Sequence, residues 1–119
     1  MREVCDMTDL LSAYAHGKHI QPETLIRRQV ADYLRAAGWY VIRIQQGPLC
    51  EKGICDLIVI RKGRVCFPEI KTPTGRLSDW QRAFGQSILN AGGEYHILRS
   101  FEDAVRMSGE SLDDYRREA

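Results

Sequence analysis

Residues 53–81 read GICDLIVIRKGRVCFPEIKTPTGRLSDWQ, and this stretch decides the fold. Its first half holds two apolar segments, rich in Val and Ile, on either side of the dipeptide Lys62-Gly63, which predicts a β-hairpin with that dipeptide at the turn. Counting inward from the turn places Asp56 directly opposite Glu69, with Cβ atoms about 4.5–5.5 Å apart. Because side chains alternate between the faces of a strand, we expect Asp56, Glu69 and Lys71 on one face.

Two carboxylates that face each other across a hairpin repel, and partial burial makes the repulsion more costly. A hard divalent cation relieves it, because Mg²⁺ binds one or two carboxylates and keeps the rest of its shell for water and phosphate. A neighbouring lysine can then balance charge that develops in a transition state. The alternative is structural, with Lys71 and one acid of raised pKa forming a buried ion pair. The residues alone leave both interpretations open.

The second half of the stretch carries a more specific signal. The string EIKTPTGRLSDWQ at residues 69–81, preceded by Asp56, resembles the VRR-NUC branch (virus-type replication-repair nucleases) of the PD-(D/E)XK nucleases. The resemblance extends from about residue 23 to about residue 100. Two residues depart from the pattern: Cys55 stands where the family usually has proline, and Pro68 stands where it usually has an apolar residue suited to a strand. Since proline cannot donate to a ladder, Pro68 predicts either an N position without a partner or a bulge that shifts the register by one.

The resemblance implies a set of site residues. It implies Mg²⁺ or Mn²⁺ held by Asp56, Glu69 and the backbone carbonyl of Ile70, with Lys71 supporting catalysis and Gln81 completing the site. Glu23 matches an acidic position early in the family's first helix and would bind the ion directly or through a water. The implied catalytic set is therefore Glu23, Asp56, Glu69, Lys71 and Gln81.

Local explanations exist for two of these residues. Glu23 favours the helix macrodipole in the first turn of a helix. Gln81 completes a capping box with Ser78. Three basic residues, Arg27, Lys52 and Arg76, are predicted to contact nucleic-acid phosphates, although each is also an ordinary surface residue.

Hydrophobic periodicity predicts an αβββαβ order with a terminal helix, which is an α/β arrangement of one mixed four-stranded sheet flanked by helices. The resemblance implies the same layout, that of a restriction-endonuclease-like core. The apolar positions of the second long helix, beginning with Trp80, are predicted to be buried. The expected domains are an N-terminal extension (1–20) with a short helix at 8–16, a nuclease domain (21–108) and a polar tail (109–119). The expected elements are helices at 21–37, 78–91 and 100–107, strands at 39–45 and 94–99, and the hairpin.

Composition restricts the class of protein. The chain has 119 residues, a net charge of +1 and 44% hydrophobic residues, which suits one globular domain. No apolar run reaches membrane-spanning length and no basic leader is visible, so we expect a cytoplasmic protein of a bacterial or virus-infected cell. The four cysteines form no C-x-x-C pair and are expected to be reduced. A zinc site from Cys50, Cys55 and a histidine is disfavoured because the spacing is not that of a zinc knuckle.

Charge is concentrated in the centre of the chain. Residues 21–100 hold twelve basic and seven acidic side chains, a balance of +5, whereas residues 101–119 have a balance of −3. The predicted function is a metal-dependent DNA endonuclease. The resemblance further implies a homodimer that acts on branched DNA such as four-way junctions in DNA repair. Members of the family that consist of one small domain are often virus-encoded homodimers with such substrates. The alternatives are a non-catalytic nucleic-acid-binding module that keeps the fold, and a resolvase-like or restriction-like enzyme of the same superfamily.

Overall fold

The computed structural model describes residues 22–109. The predicted helix at 8–16 and most of the predicted tail lie outside the described residues. The elements are α1 (Glu23–Ala36), β1 (Tyr40–Arg43), β2 (Leu57–Arg61), β3 (Arg64–Ile70), α2 (Asp79–Asn90), β4 (Glu94–Leu98) and α3 (Phe101–Met107). This order confirms the predicted αβββαβ core with a terminal helix.

The four strands form one mixed sheet in the order β1-β2-β3-β4. The first three strands are antiparallel neighbours, with residues 44–56 joining β1 to β2 and a two-residue turn joining β2 to β3. β3 and β4 are parallel, and α2 makes the crossover that a parallel pair requires. The polar end of β3 therefore lies close to the start of α2.

The two faces of the sheet differ in how well they are covered. α1 and α3 pack together over one face and bury the main core. α2 packs against β4 on the other face, where Phe84 contacts the rings of Phe67 and Tyr95 at centroid distances of 6.3 and 6.1 Å. The main core includes Ile26, Val30, Leu34, Trp39, Leu57, Val59, Cys66, Ile70, Leu98 and Val105, each at most 3% exposed.

Two predicted details of the elements are wrong. The helix predicted at 21–37 begins only at Glu23, with Pro22 as its N-cap. Trp80 is 59% exposed, and only Phe84 and Gly85 of α2 are buried. The reason is that α2 covers the edge of the sheet at β4, so much of its apolar stripe has no strand beneath it. Among residues 22–109, no helix combines the length and apolarity needed to cross a bilayer.

Candidate active site

The hairpin forms with the predicted turn but its ladder is shorter than predicted. Lys62 and Gly63 have φ values of 50° and 83°, the left-handed conformations of a type I′ turn. The described β2–β3 pairs follow the predicted register, but the ladder ends before Asp56, which precedes β2 and is not paired opposite Glu69. Its Oδ2 instead accepts a hydrogen bond from the Ile70 N–H at 3.0 Å. The described β2–β3 pairs are Arg61↔Arg64, Ile60↔Val65 and Val59↔Cys66.

The shortening has a physical cause at Pro68. The next hydrogen-bonded pair of this hairpin, two residues beyond Val59↔Cys66, would be Leu57 and Pro68. Proline has no N–H to donate there. The Leu57 carbonyl accepts from the Cys55 thiol instead, at 2.9 Å. Burial, followed by the charges of the nearby carboxylates, raises the pKa of Cys55 to about 12, so the thiol keeps its proton. The two departures from the family pattern therefore compensate each other.

Glu69 is the buried acid of the site. Its side chain is on β3, and the residue is 2% exposed. Its Oε2 accepts a hydrogen bond from Gln81 Nε2 at 3.1 Å, and its Oε1 is buried without a hydrogen-bond donor. A buried carboxylate oxygen without a donor is costly unless something else compensates its charge.

In the metal-free protein, a proton supplies that compensation. Burial, followed by the charge of Asp56 and a hydrogen bond with the Asp56 carboxyl, raises the pKa of Glu69 to about 8. Lys71 lowers this pKa and Glu23 raises it slightly further. The two acids therefore lie close enough to share a proton, although they are not paired across the ladder.

Gln81 forms the predicted capping box and also contacts Glu69. At the start of α2 its Oε1 accepts from the Ser78 N–H at 2.9 Å, while its own N–H donates to Ser78 Oγ at 3.1 Å, which is a complete capping box. The remaining Nε2 group holds Glu69. The cap and the contact with Glu69 use different atoms of one amide, so the cap leaves the Nε2 group available to the site.

Glu23 and Arg27 close the site from α1. Arg27 Nη2 donates to Glu23 Oε2 at 2.7 Å and lies 3.4 Å from Asp56 Oδ1. The helix places these two residues on one face because they are four positions apart. The positively charged guanidinium of Arg27 thus lies beside the Asp56 carboxylate.

A cavity of about 780 Å³ joins these groups. Of the predicted site residues it is lined by Glu23, Arg27, Asp56, Glu69 and Gln81, and we call it the acidic cavity. The other lining residues are Arg43, Ile44, Gln45 and Gln46.

Ile70 and three predicted basic residues do not line the acidic cavity. Lys71 acts on Glu69 through its charge. Lys52 lies over the ring of Trp80, 5.0 Å from its centroid, and lines a different cavity. Arg76 is exposed on the loop before α2.

The oxygens around Asp56 and Glu69 suit a divalent cation. Each carboxylate has one oxygen held by a fixed donor, Ile70 N–H or Gln81 Nε2. Of the other two oxygens, Asp56 Oδ1 has only a long contact to Arg27. Glu69 Oε1 has no hydrogen-bond donor. Among residues 22–109, the carboxylates of Glu23, Asp56 and Glu69 do not all come within 4.8 Å of one another, so Glu23 is not placed in this conformation to bind the same ion directly. An all-oxygen donor set of this kind is what Mg²⁺ and Mn²⁺ prefer.

Comparison with solved structures decides what this architecture is. A solved chain described as a VRR_NUC domain superposes on this chain with a TM-score of 0.63 and 18% sequence identity, covering 71% of this chain and 91% of that chain. The chain has a VRR-NUC fold. No protein-family profile matches the sequence. No curated protein matches it either.

The VRR-NUC fold also brings together one donor group that the sequence analysis did not predict. Cys66, Glu94 and His96, on β3 and β4, have donor atoms within 4.8 Å of one another. Their pairing could be found only once β3 and β4 were known to be parallel neighbours. Arg64 already binds both oxygens of Glu94, at 2.7 and 3.0 Å, and this is the first cause of the lowering of the Glu94 pKa to about 2. An arginine that neutralises Glu94 makes this group an ion-pair network.

The zinc alternative of the sequence analysis gains no support. Among the described residues, the only close donor group that contains a histidine includes Cys66 rather than Cys50 or Cys55. Cys50, Cys55 and Cys66 are all free thiols, as predicted.

Proposed function

We propose that this chain is a metal-dependent endonuclease that hydrolyses phosphodiester bonds in DNA, with Mg²⁺ or Mn²⁺ as its cofactor. The observation that carries the proposal is the donor-free, buried Oε1 of Glu69, a side chain that lines an open acidic cavity together with Asp56. Glu69 is buried and Asp56 is half-buried, and packing alone gives no reason to place two acids together where one must take up a proton to be stable.

Each proposed residue has a distinct role. Asp56 and Glu69 would hold the ion, together with the Ile70 carbonyl, and Glu23 would contact it through a water. A bound divalent ion supplies polarisation of a phosphate oxygen and a lower pKa for the attacking water. Gln81 keeps Glu69 oriented by holding Oε2.

Lys71 is proposed to act on the substrate rather than on the ion. It follows Glu69 by two residues, and its charge lowers the pKa of Glu69. A lysine ammonium there can balance the negative charge that builds up on the phosphate in the transition state. Arg27 offsets the charges of Glu23 and Asp56 until a cation arrives.

The finer aspects of the proposal rest on the resemblance. We propose that the substrate is branched DNA, such as a four-way junction formed in DNA repair, and that the active form is a homodimer whose two sites face two strands. The proposed domain comprises residues 21–108, between an extension at 1–20 and a tail at 109–119. A cytoplasmic location in a bacterial or phage-infected cell belongs to the same proposal.

The test is cleavage of linear, flapped and four-way DNA by the purified full-length chain with Mg²⁺, Mn²⁺ or EDTA. Cleavage is expected with either ion and not with EDTA. Asp56→Asn, Glu69→Gln and Lys71→Met should each reduce it by at least about 10²-fold, the scale of single electrostatic contacts in active sites. Light scattering of the same sample measures the oligomeric state.

Glu102→Gln is the matched control, because Glu102 is an exposed acid in the first turn of α3, away from the acidic cavity. It should cut like the wild type. If the wild type cuts none of the substrates with either ion, the proposal is wrong, and DNA binding that ignores EDTA would then favour the non-catalytic binding module.

A further inference from the structure

A second cavity adjoins the acidic cavity and has the opposite charge. It has a volume of about 240 Å³ and lies between α1 and the end of β1. We call it the arginine cleft. Its lining residues are Thr24, Arg27, Arg28, Ala31, Arg35, Arg43 and Leu57, none of which is acidic.

The spacing along α1 explains how so many arginines meet. Positions 24, 27, 28, 31 and 35 recur at three- and four-residue steps, so their side chains share one helix face. β1 adds Arg43, and the β1–β2 register places Leu57 opposite it as an apolar floor. Arg27 and Arg43 line both cavities, so the arginine cleft and the acidic cavity share a wall.

The charges of the cleft are only partly compensated. Arg27 is paired with Glu23 and Asp56, and Arg35 lies 3.6 Å from Asp32. Among residues 22–109, no carboxylate forms an ion pair with Arg43. Arginine does not lose its proton in proteins, so the excess positive charge of the cleft persists at any working pH.

The chemistry of the cleft selects a phosphate group. Guanidinium groups bind phosphate oxygens through two parallel hydrogen bonds, which makes arginine the usual residue for phosphate recognition. The volume falls below the range of about 300–1,000 Å³ that is usual for whole small-molecule ligands. A single phosphate group with water suits it better than a base or a nucleoside.

We propose that the arginine cleft binds a backbone phosphate of the nucleic acid, next to the phosphate that enters the acidic cavity. This inference rests on the proposed function, since it names the neighbouring contact of the same strand. The cleft would position the strand before any ion or cleavage is involved. The affinity of the protein for DNA should therefore depend on these arginines even in EDTA.

The test compares two double variants of the full-length chain by fluorescence anisotropy of labelled DNA in EDTA, over a range of salt concentrations. Arg35→Gln/Arg43→Gln removes two cations from the cleft. Lys62→Gln/Arg106→Gln is matched to it, because Arg106 forms an i,i+3 ion pair on α3 as Arg35 does on α1, and Lys62 is an exposed cation of the sheet.

Loss of one phosphate contact should lower the slope of log K against log salt by about 1, and we expect this slope change and an affinity at least about tenfold weaker for the cleft variant only. Equal weakening of both variants would overturn the inference, because it would show a general field effect. Absence of DNA binding by the wild type would overturn it as well. If inorganic phosphate binds the wild type but not the cleft variant, and the cleft variant binds DNA as tightly as the wild type, the ligand of the cleft is a free anion and the inference is wrong.

Cleavage with Mn²⁺ is measured separately, so the two proposals can fail independently. A wild type that does not cut DNA, but binds it through the cleft arginines, would refute the proposed function and support the cleft. A wild type that cuts, with both double variants binding alike, would do the reverse.

Discussion

Glu69 shows how a buried acid can prepare a metal site. Its Oε1 has no hydrogen-bond donor and its pKa is raised to about 8, first by burial and then by Asp56. At neutral pH the metal-free protein therefore holds a proton between the two acids. A divalent cation and this proton compete for the same oxygens, because both compensate the same charge.

The first prediction concerns the pH dependence of stability in EDTA. The pKa of Glu69 in the folded protein lies above its ordinary value of 4.5, so the folded state binds the extra proton and the wild type should lose stability as the pH rises from 4.5 to about 8. Glu69→Gln removes this titration. The free energy of unfolding of Glu69→Gln minus that of the wild type, both measured with urea, should therefore rise between the lower and the upper end of this pH window. We expect a rise of at least about 1 kcal/mol.

The control for this prediction is Glu102→Gln, whose curve should run parallel to that of the wild type. Parallel curves for Glu69→Gln and wild type would show that Glu69 is ionised throughout, contrary to the raised pKa. Glu69→Gln should also lose DNA cleavage, so its gain in stability is separate from the activity of the site.

Cys55 and Pro68 form a second pair of linked residues. Pro68 cannot donate to the Leu57 carbonyl, and the Cys55 thiol does so instead. Cys55→Ala should destabilise the wild type by about 1–2 kcal/mol, because a buried carbonyl loses its partner. In a Pro68→Val background, where a backbone N–H returns, the same substitution should cost at least about 0.5 kcal/mol less.

Cys50→Ala is the matched control for this cycle, since the Cys50 thiol also donates to a carbonyl, that of Gln45, but in the loop. Its cost should be the same in both backgrounds. If the cost of Cys55→Ala is equally unaffected by Pro68→Val, the two departures from the family pattern are independent. Urea unfolding measures all of these variants.

At the scale of elements, the start of α2 joins secondary structure to the site. Gln81 uses its Oε1 in the capping box and its Nε2 on Glu69. Gly53, at φ +79°, packs so closely against the Trp80 backbone that a Cβ would lie 2.2 Å from its carbonyl oxygen. This contact presses the loop before β2 onto the first turn of α2 and so sets where Gln81 lies.

The third prediction separates the two roles of Gln81. Gln81→Glu keeps an oxygen for the cap but removes the donor to Glu69 and adds a charge beside it. The free energy of unfolding at acidic pH should change little, whereas DNA cleavage should fall by at least about 10-fold. Ser78→Ala should do the reverse, costing about 1 kcal/mol of stability with nearly unchanged cleavage.

Gln86→Glu is the control, because it makes the same change on an exposed position of the same helix. It should affect neither measurement. Loss of stability and of activity in the same proportion for Gln81→Glu and Ser78→Ala would mean that Gln81 acts only through the helix start.

At the scale of the whole molecule, four elements have to meet before the site exists. α1 supplies Glu23 and α2 supplies Gln81. Asp56 directly precedes β2, and Glu69 lies near the end of β3. Because unfolding separates these residues, an ion that binds them stabilises the folded chain as a whole.

The fourth prediction is therefore stabilisation by metal. Mn²⁺ at about 100 times its dissociation constant should raise the free energy of unfolding by about 2.7 kcal/mol, and EDTA should abolish the increase. Asp56→Asn and Glu69→Gln should lose it. Thermal or urea unfolding with and without Mn²⁺ measures the effect without any DNA.

His96→Gln tests whether the ion binds elsewhere, since His96 belongs to the second donor group with Cys66 and Glu94. It should keep the full Mn²⁺ effect. Loss of the effect in His96→Gln, with retention in the two acid variants, would place the ion on β4 instead of in the acidic cavity.

The sequence by itself determined the hairpin turn, the capping box and the αβββαβ order, because each depends on residues close together in the chain. Turn conformation, cap geometry and strand alternation are local properties. The tertiary structure alone decided that Asp56 bonds to Ile70 rather than pairing opposite Glu69, that Trp80 is exposed, and that Arg43 joins the arginines of α1 in one cleft. These features depend on how far α2 covers the sheet, where a ladder ends at a proline, and which strand end lies beside which helix. Such contacts are set by packing between distant segments, which no local pattern records.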